Sequence, residues 1–391
     1  MIEPKEFIIV KMREGIENIM DIPEYPSTPG EIDIAITGRC NLHCRYCFYA
    51  DEMTARSDLT TEQWLAFFAE CGRLGVMRVC LTGGEAFTRP DLFTLIDGVI
   101  ANRMRYNLLT NGTLITEKVL EQFELGKRRP RLDYIQVSVD GSCAEIHDLS
   151  RPNSFERTVR GLRLLKKAGL PLHVRVTINR HNLHDLENVA YLLLDEIGLP
   201  SFGTNDAAPI GMGCQNAEEV ALSAVETAET MEIMARLQAR YPGRLQAMAG
   251  PQAKIQMHAE MEHARATGEK TSRWQMGYLS ACGCVFSRMS ILHDGSIVPC
   301  HLLAGLVMGN VLTDSLQKIW LHHPTLQALR GRRQISMLQL PGCKSCEWAE
   351  YCNGSCPGMT YQMLGDFYLA NPLDCYRQFL LDKDRNYAAP N

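Results

Sequence analysis

The chain has 391 residues, 46% of them hydrophobic and 22% charged, an ordinary globular composition that excludes disorder, collagen and coiled coil as descriptions of the whole. Forty basic against forty-five acidic side chains leave a formal charge of −5, so no global charge attracts nucleic acid or an anionic membrane. The outlying number is 15 cysteines, in a chain far too long to need disulfide staples.

At roughly 150 residues per domain the length predicts two or three domains. Residues 1–30 form an N-terminal extension whose apolar run, Phe7 to Val10, is too short for a signal-peptide core. No run approaches the ~18 apolar residues of a membrane span. The expected location is the reducing cytoplasm, where clustered cysteines bind metal more often than they pair.

Residues 31–215 alternate β-rich runs with amphipathic stretches. The expected strands are Ile32 to Ile36, Val76 to Leu81, Tyr106 to Leu109, Asp133 to Val139, Leu172 to Ile178 and Phe202 to Asn205. Between the first two, Thr60 to Gln63 has the pattern of a capping box and Gly75 is the stop; Gly126 and Gly169 close two further helices. The basic knot Lys127, Arg128, Arg129 and Arg131 is short and interrupted by proline, the pattern of a solvated loop. Six βα repeats imply a parallel sheet. Arg39-Cys40, Gly83-Gly84-Glu85, Asn111-Gly112, Asp140-Gly141, Asn179 and Asn205-Asp206 each follow a strand, which favours a partial (β/α)6 barrel like that of TIM, with its chemistry at the strand tips.

Residues 216–280 form a helical bridge. Ser223 to Glu226 is a capping box, Tyr241-Pro242-Gly243 a stop, and Gln252 to Gly268 a second helix whose Met257, Met261, His258 and His263 suggest a core stripe beside a wet face. Residues 281–391 turn Cys-rich and are expected to be a separate C-terminal domain.

Cys40, Cys44 and Cys47 put three thiols in eight residues straight after the first strand. A structural zinc site takes four ligands, and ferredoxin clusters take four cysteines at other spacings. Three thiolates on one loop leave one iron of a [4Fe-4S] cluster open to a substrate or cofactor. This CxxxCxxC loop, with Tyr46 before its last cysteine, resembles the signature of the radical S-adenosylmethionine (SAM) superfamily. Thr82-Gly83-Gly84-Glu85 is similar to that family's GGE motif, which receives the methionine amino group of SAM. Glycines there let the chain pass close to a ligand. Ala86 stands where the family usually has proline. Ser138-Val139-Asp140-Gly141 resembles the fourth-strand tip. The resemblance implies that Ser138 contacts SAM, with Asn111 and Asn179 as weaker candidates; for Asp140 a turn-forming role competes.

Further along stand Cys282, Cys284, Cys300, Cys343, Cys346, Cys352, Cys356 and Cys375. The CxxC pair alone suits a zinc ribbon, but the whole pattern resembles the SPASM domain, which carries two auxiliary iron-sulfur clusters. By that resemblance Cys343, Cys346, Cys352 and Cys375 hold the outer cluster, while Cys300 and Cys356 join Cys282, Cys284 or both at the inner one. His301 stands where sulfatase-maturating relatives place an Asp base and is a candidate base. Cys71, Cys80, Cys143 and Cys214 remain, as ordinary buried thiols, with Cys214 an option for facing the cavity.

The resemblance implies three [4Fe-4S] clusters, reductive cleavage of SAM to a 5′-deoxyadenosyl radical, and oxidative modification of a substrate after hydrogen abstraction. The expected substrate is a ribosomally made peptide or a protein side chain, as in maturases of the PQQ and mycofactocin type. The alternatives are a tetrapyrrole side chain of a heme pathway, sulfatase maturation and, outside catalysis, electron transfer. The expected partners are a flavodoxin or ferredoxin as reductant and, with so short an N-terminal extension, either a separate peptide-recognition protein or none. Neither nucleic acid nor membrane is expected.

Overall fold

In the computed structural model of the protein, residues 25–247 and 249–387 are described, so most of the expected N-terminal extension, residues 1–24, lies outside the described residues. The strands are β1 (Glu31–Ala35), β2 (Arg78–Thr82), β3 (Arg105–Thr110), β4 (Leu132–Ser138), β5 (Leu172–Ile178), β6 (Phe202–Asp206), β7 (Leu245–Ala247), β8 (Arg288–Ile291), β9 (Ser296–Val298) and β10 (Gly309–Asn310). They form one sheet in the order β10-β9-β8-β1-β2-β3-β4-β5-β6-β7. All six expected strands are present in the expected order, within two residues of their expected ends.

The parallel run is longer than six. Leu245–Ala247 pairs parallel with β6 inside a stretch expected to be helical, and Arg288–Ile291 pairs parallel with β1 from the Cys-rich region. A three-residue strand is too short to show alternation, and pairing across some 250 residues leaves no local signal. The hairpin β8–β9 and the short β10 then continue the sheet antiparallel, so the barrel sheet runs through residue 281 into the Cys-rich segment.

Each strand divides its side chains between two faces. Ile32, Ile34, Val79, Leu81, Tyr106, Leu108, Ile135, Val137, Val174 and Val176 are fully buried on the helix-facing side. Against them pack α1 (Thr61–Leu74), α2 (Leu92–Ala101) and α3 (Phe155–Lys167) through Trp64, Phe68, Leu95, Ile96, Leu162 and Leu165. The α1 capping box is formed reciprocally between Thr60 and Gln63, and Gly75 closes the helix at φ 81°, the left-handed conformation that glycine adopts most cheaply. Ser223 and Glu226 form the second box, opening α4 (Ala224–Arg240).

Two local expectations change. Arg128 is buried, paired with Asp97 at 2.7 Å and laid over the Phe93 ring, so the basic knot anchors a turn rather than lying in solvent. In α5 (Gly250–Thr267), His258 lies on the buried face with Met261, its ring 4.1 Å from that of Tyr376, while His263 is exposed. The i, i+3 relation carries an imidazole into the core wherever an aromatic partner meets it. No helix among the described residues is long and apolar enough to cross a membrane.

Candidate active site

The cysteine loop leaves β1 through a neck fixed by Asp58, which accepts from Thr37 Oγ1 at 2.6 Å and from the Gly38 amide at 2.7 Å. The tip of β2 supports the loop from beneath: the Gly84 amide donates to Thr37 O and the Glu85 amide to Arg39 O. A Cβ on Gly83 would stand 2.3 Å from Thr37 O, and one on Gly84 2.3 Å from Arg39 O. These glycines are therefore required by neighbouring protein backbone, a reason nearer than the ligand approach expected from the motif. Gly83 also has φ 136°.

Glu85 is buried and its carboxylate receives Thr110 Oγ1, the Asn111 amide and the Phe87 amide. Burial pushes its carboxyl pKa up, against the pull of these donors. It ties β2 to β3. Asn111 passes the connection on, donating to Asn41 Oδ1 within the cysteine loop at 2.9 Å, while Asn41 donates to Thr113. Asn179 is saturated internally, accepting from Ser150 and the His181 amide and donating to Thr177 O. Ser138 lies on the concave face, opposite to Val137, and its hydroxyl makes no hydrogen bond among the described residues.

Tyr46 is turned into the protein, its hydroxyl donating to Asp140. Asp140, fully buried, also takes Arg151 Nε and the Thr177 amide of β5. Arg151 in turn reaches Cys44 Sγ at 3.7 Å and lies over the Tyr46 ring. Asp140 thus joins three segments, where the sequence left a turn as an equal option. Arg151 is the residue sequence reasoning missed; the available signal was an acid at an inward strand tip, Asp140, with a basic residue eleven positions on.

His147 is buried behind this hub, accepting from the Asp140 amide at 3.1 Å and facing Ser154 Oγ at 3.0 Å. Burial lowers its pKa to about 4 from 6.5. The native state stays neutral while the unfolded chain takes up a proton, so stability is present above pH 6.5 and is lost as pH falls towards 4. Linkage gives about 1 kcal/mol lost between pH 7.5 and 5.5, of about 3 kcal/mol in all. His147→Asn, whose Oδ1 replaces the acceptor Nδ1, should flatten the pH dependence of the unfolding midpoint by that amount; an unchanged slope would remove His147 from this role.

The thiols of Cys40, Cys44 and Cys47 are mutual neighbours, and burial, helped by one another's charges and at Cys40 by that of Glu85, pushes Cys40 and Cys47 up to about 11. In the Cys-rich region the same proximity divides the other eight. Cys284 lies against both Cys282 and Cys300, and Cys356 lies beside Cys300 and Cys282. Cys343 neighbours Cys346 and Cys375, and Cys352 neighbours Cys343 and Cys375. Among the described residues no three His, Cys, Asp or Glu side chains are placed to share a single ion. Of the remaining four cysteines, Cys71 and Cys80 are buried, Cys143 is half-buried and Cys214 is exposed.

Tyr49, two residues past Cys47, bridges to the β8–β9 hairpin: its hydroxyl meets His293 Nδ1 at 2.9 Å and its ring packs edge-on to His301 at 5.8 Å. His301 Nε2 is buried without a partner, and burial lowers the imidazole pKa to about 4.

Residues 34–193 match the Radical SAM superfamily, and residues 282–347 the SPASM iron-sulfur cluster-binding domain. An AdoMet-dependent heme synthase of Methanosarcina barkeri is 28% identical over 90% of this chain and 97% of its own. A PqqA peptide cyclase of Ruegeria pomeroyi is 26% identical over 86% and 85%. The structure of Streptococcus suis SuiB bound to its precursor peptide SuiA superposes with a TM-score of 0.69 at 15% identity, over 95% of this chain and 88% of that one, so the fold is shared. Radical SAM enzymes use a [4Fe-4S] cluster and SAM, and the SPASM domain binds auxiliary iron-sulfur clusters. With both domains in place, the chain is a radical SAM enzyme carrying a C-terminal SPASM domain.

Proposed function

We propose that this enzyme cleaves SAM at the Cys40, Cys44 and Cys47 loop and oxidises a peptide or protein side chain. The observation that carries the reading is the separation of eleven cysteines into one set of three and two sets of four. The set of three has no fourth thiol and leaves a coordination position for SAM, whereas each set of four fills its own cluster. Both Cys282 and Cys284 are then ligands of the inner cluster, with Cys300 and Cys356, and the outer one takes Cys343, Cys346, Cys352 and Cys375. When bound, three [4Fe-4S] clusters and SAM supply the reducing electron, the hydrogen-abstracting 5′-deoxyadenosyl radical and an acceptor for the electron released on oxidation.

The chain's own residues bind and position. Ser138 and the carbonyls of Gly83 and Gly84 are the SAM contacts we retain. Glu85, Asn111, Asn179 and Tyr46 act by holding the loop and strand tips in register. His301, with its unpaired Nε2, is the proposed base.

The peptide reading is supported by relatives named PqqA peptide cyclase, at 25–28% identity over most of both chains. A tetrapyrrole side chain is the second reading, favoured by the heme synthase relative, which aligns over 97% of its length. Incubating the reduced, reconstituted enzyme and SAM with the peptide or tetrapyrrole made by its neighbouring genes separates them by mass. Loss of two hydrogens from the peptide supports the first; loss of carbon dioxide together with two hydrogens from a propionate arm of the tetrapyrrole, leaving a vinyl group, supports the second. An unchanged mass in both, with 5′-deoxyadenosine formed, would reject both substrates.

A further inference from the structure

The concave face of the barrel holds polar side chains that the SAM end leaves unused. Val174 and Val176 face the helices, so His173 and Arg175 point into the barrel. Arg175 is in register with Ser138 on β4 and Gly203 on β6, one inward position, about 7 Å, below Thr177 and the Asp140 hub. It makes no hydrogen bond or ion pair among the described residues, and burial lowers its pKa. A half-buried guanidinium with no anion is costly to keep, and the cost is recovered when a ligand brings one.

A second group on the same face is also unpaired. Asn107 is buried between the helix-facing Tyr106 and Leu108, and neither its amide nitrogen nor its oxygen has a hydrogen-bond partner. Glu31 and Tyr134 lie beside it without bonding geometry, and the Tyr134 ring leads on to His173, 4.7 Å between centroids.

Around Arg175 is a cavity of about 110 Å³ lined by Gln136, His173, Gly203 and Gln246 among others. It is large enough to admit one carboxylate-tipped arm and is open to solvent where His173 and Gln246 are exposed. A Cβ on Gly203 would make ordinary contact with Arg175 Nε at 3.5 Å, and a longer side chain there would enter the cavity. Of its lining, Gly203 and Gln246 stand level with Arg175, and Gln136 and His173 lie further towards the strand N-termini, on the side away from the cysteine loop.

We propose that Arg175, with Gln136, anchors a carboxylate of the substrate and so sets which of its carbons faces the SAM end. The proposal rests on the substrate-oxidising function above and names the group that function recognises. The carboxylate has two possible sources, a propionate arm of a tetrapyrrole or an acidic side chain or C-terminus of a peptide. Arg175 is a binding and positioning residue here. Its guanidinium donates bidentate hydrogen bonds to a carboxylate, where a lysine offers only a point charge.

The test is binding to the anaerobically reconstituted full chain, which needs no SAM cleavage and so stands or falls apart from the catalytic reading. Coproporphyrin III is compared with its tetramethyl ester by fluorescence quenching, and a short Glu-containing peptide with its Gln counterpart by calorimetry. The expected result is at least a tenfold preference for the acid in one pair, which also identifies the source. Arg175→Gln should erase that preference and Arg175→Lys retain part of it, with iron and sulfide content unchanged. Should Arg175→Gln fail to fold, Gly203→Leu, which fills the cavity, should lower affinity for the acid to that of its neutral counterpart. The proposal is overturned by equal binding of acid and neutral forms in both pairs, by a preference that survives Arg175→Gln or Gly203→Leu, or by weakened binding of SAM alone in Arg175→Gln.

Discussion

Replacing Cys40, Cys44 and Cys47 together by alanine should abolish 5′-deoxyadenosine formation from SAM and lower bound iron by about four atoms per chain, leaving about eight. Specificity of the loss is the informative part. The loop is held by groups other than its thiols: Asn41 to Thr113 and Asn111, the Arg45 amide to Ser150 O, and Tyr46 to Asp140. Cys44 is a minor partner of Arg151, whose main bond is to Asp140. The triple variant should therefore keep its fold and its C-terminal iron. Iron content that does not fall, or SAM cleavage that survives, would mean the open cluster sits elsewhere.

Asp140→Asn is expected to cost about 3–5 kcal/mol of stability, the usual loss when one partner of a buried charge pair is removed. Arg151 would then be buried with only the distant Cys44 sulfur and the Tyr46 ring. The Tyr46 and Thr177 donors would face an amide with half the acceptor capacity. Because the same carboxylate sets the cysteine loop against β5, SAM cleavage should fall at least tenfold, even at temperatures where the variant is folded, an order set by misplacement of reacting groups. Tyr46→Phe, which removes one hydrogen bond, should cost about 1 kcal/mol. Adding Arg151→Met to Asp140→Asn should recover part of the stability and none of the activity. An unaltered unfolding midpoint in Asp140→Asn would show that the hub does not hold the loop.

The strands that alternate over five or more residues and the helices with reciprocal caps were legible in the sequence, because period and capping chemistry are local. The grouping of the C-terminal cysteines came from the family resemblance and not from spacing, since Cys352 and Cys356, four residues apart, are assigned to different sets. The rest failed for want of range or length. β7 has three residues, and β8 finds β1 from the far end of the chain. Gly83 and Gly84 were correctly singled out, but what presses on them is backbone from another strand, which no motif shows. Arg128, His258 and Arg151 carry charge or polarity into buried places, and composition assigns such side chains to solvent unless the partner, here Asp97, Tyr376 or Asp140, is known. Arg175 was hidden for the same reason: in a strand facing a barrel interior, the polar half of the alternation marks the inside.

The most direct test of the account is to reconstitute the full chain anaerobically, count its iron and sulfide, and assay 5′-deoxyadenosine from SAM under a strong reductant. The account predicts about twelve iron atoms per chain, from three four-iron clusters, and 5′-deoxyadenosine with methionine as its partner product. SAM left intact by protein carrying its full iron, or zinc found in place of iron and sulfide, would contradict it.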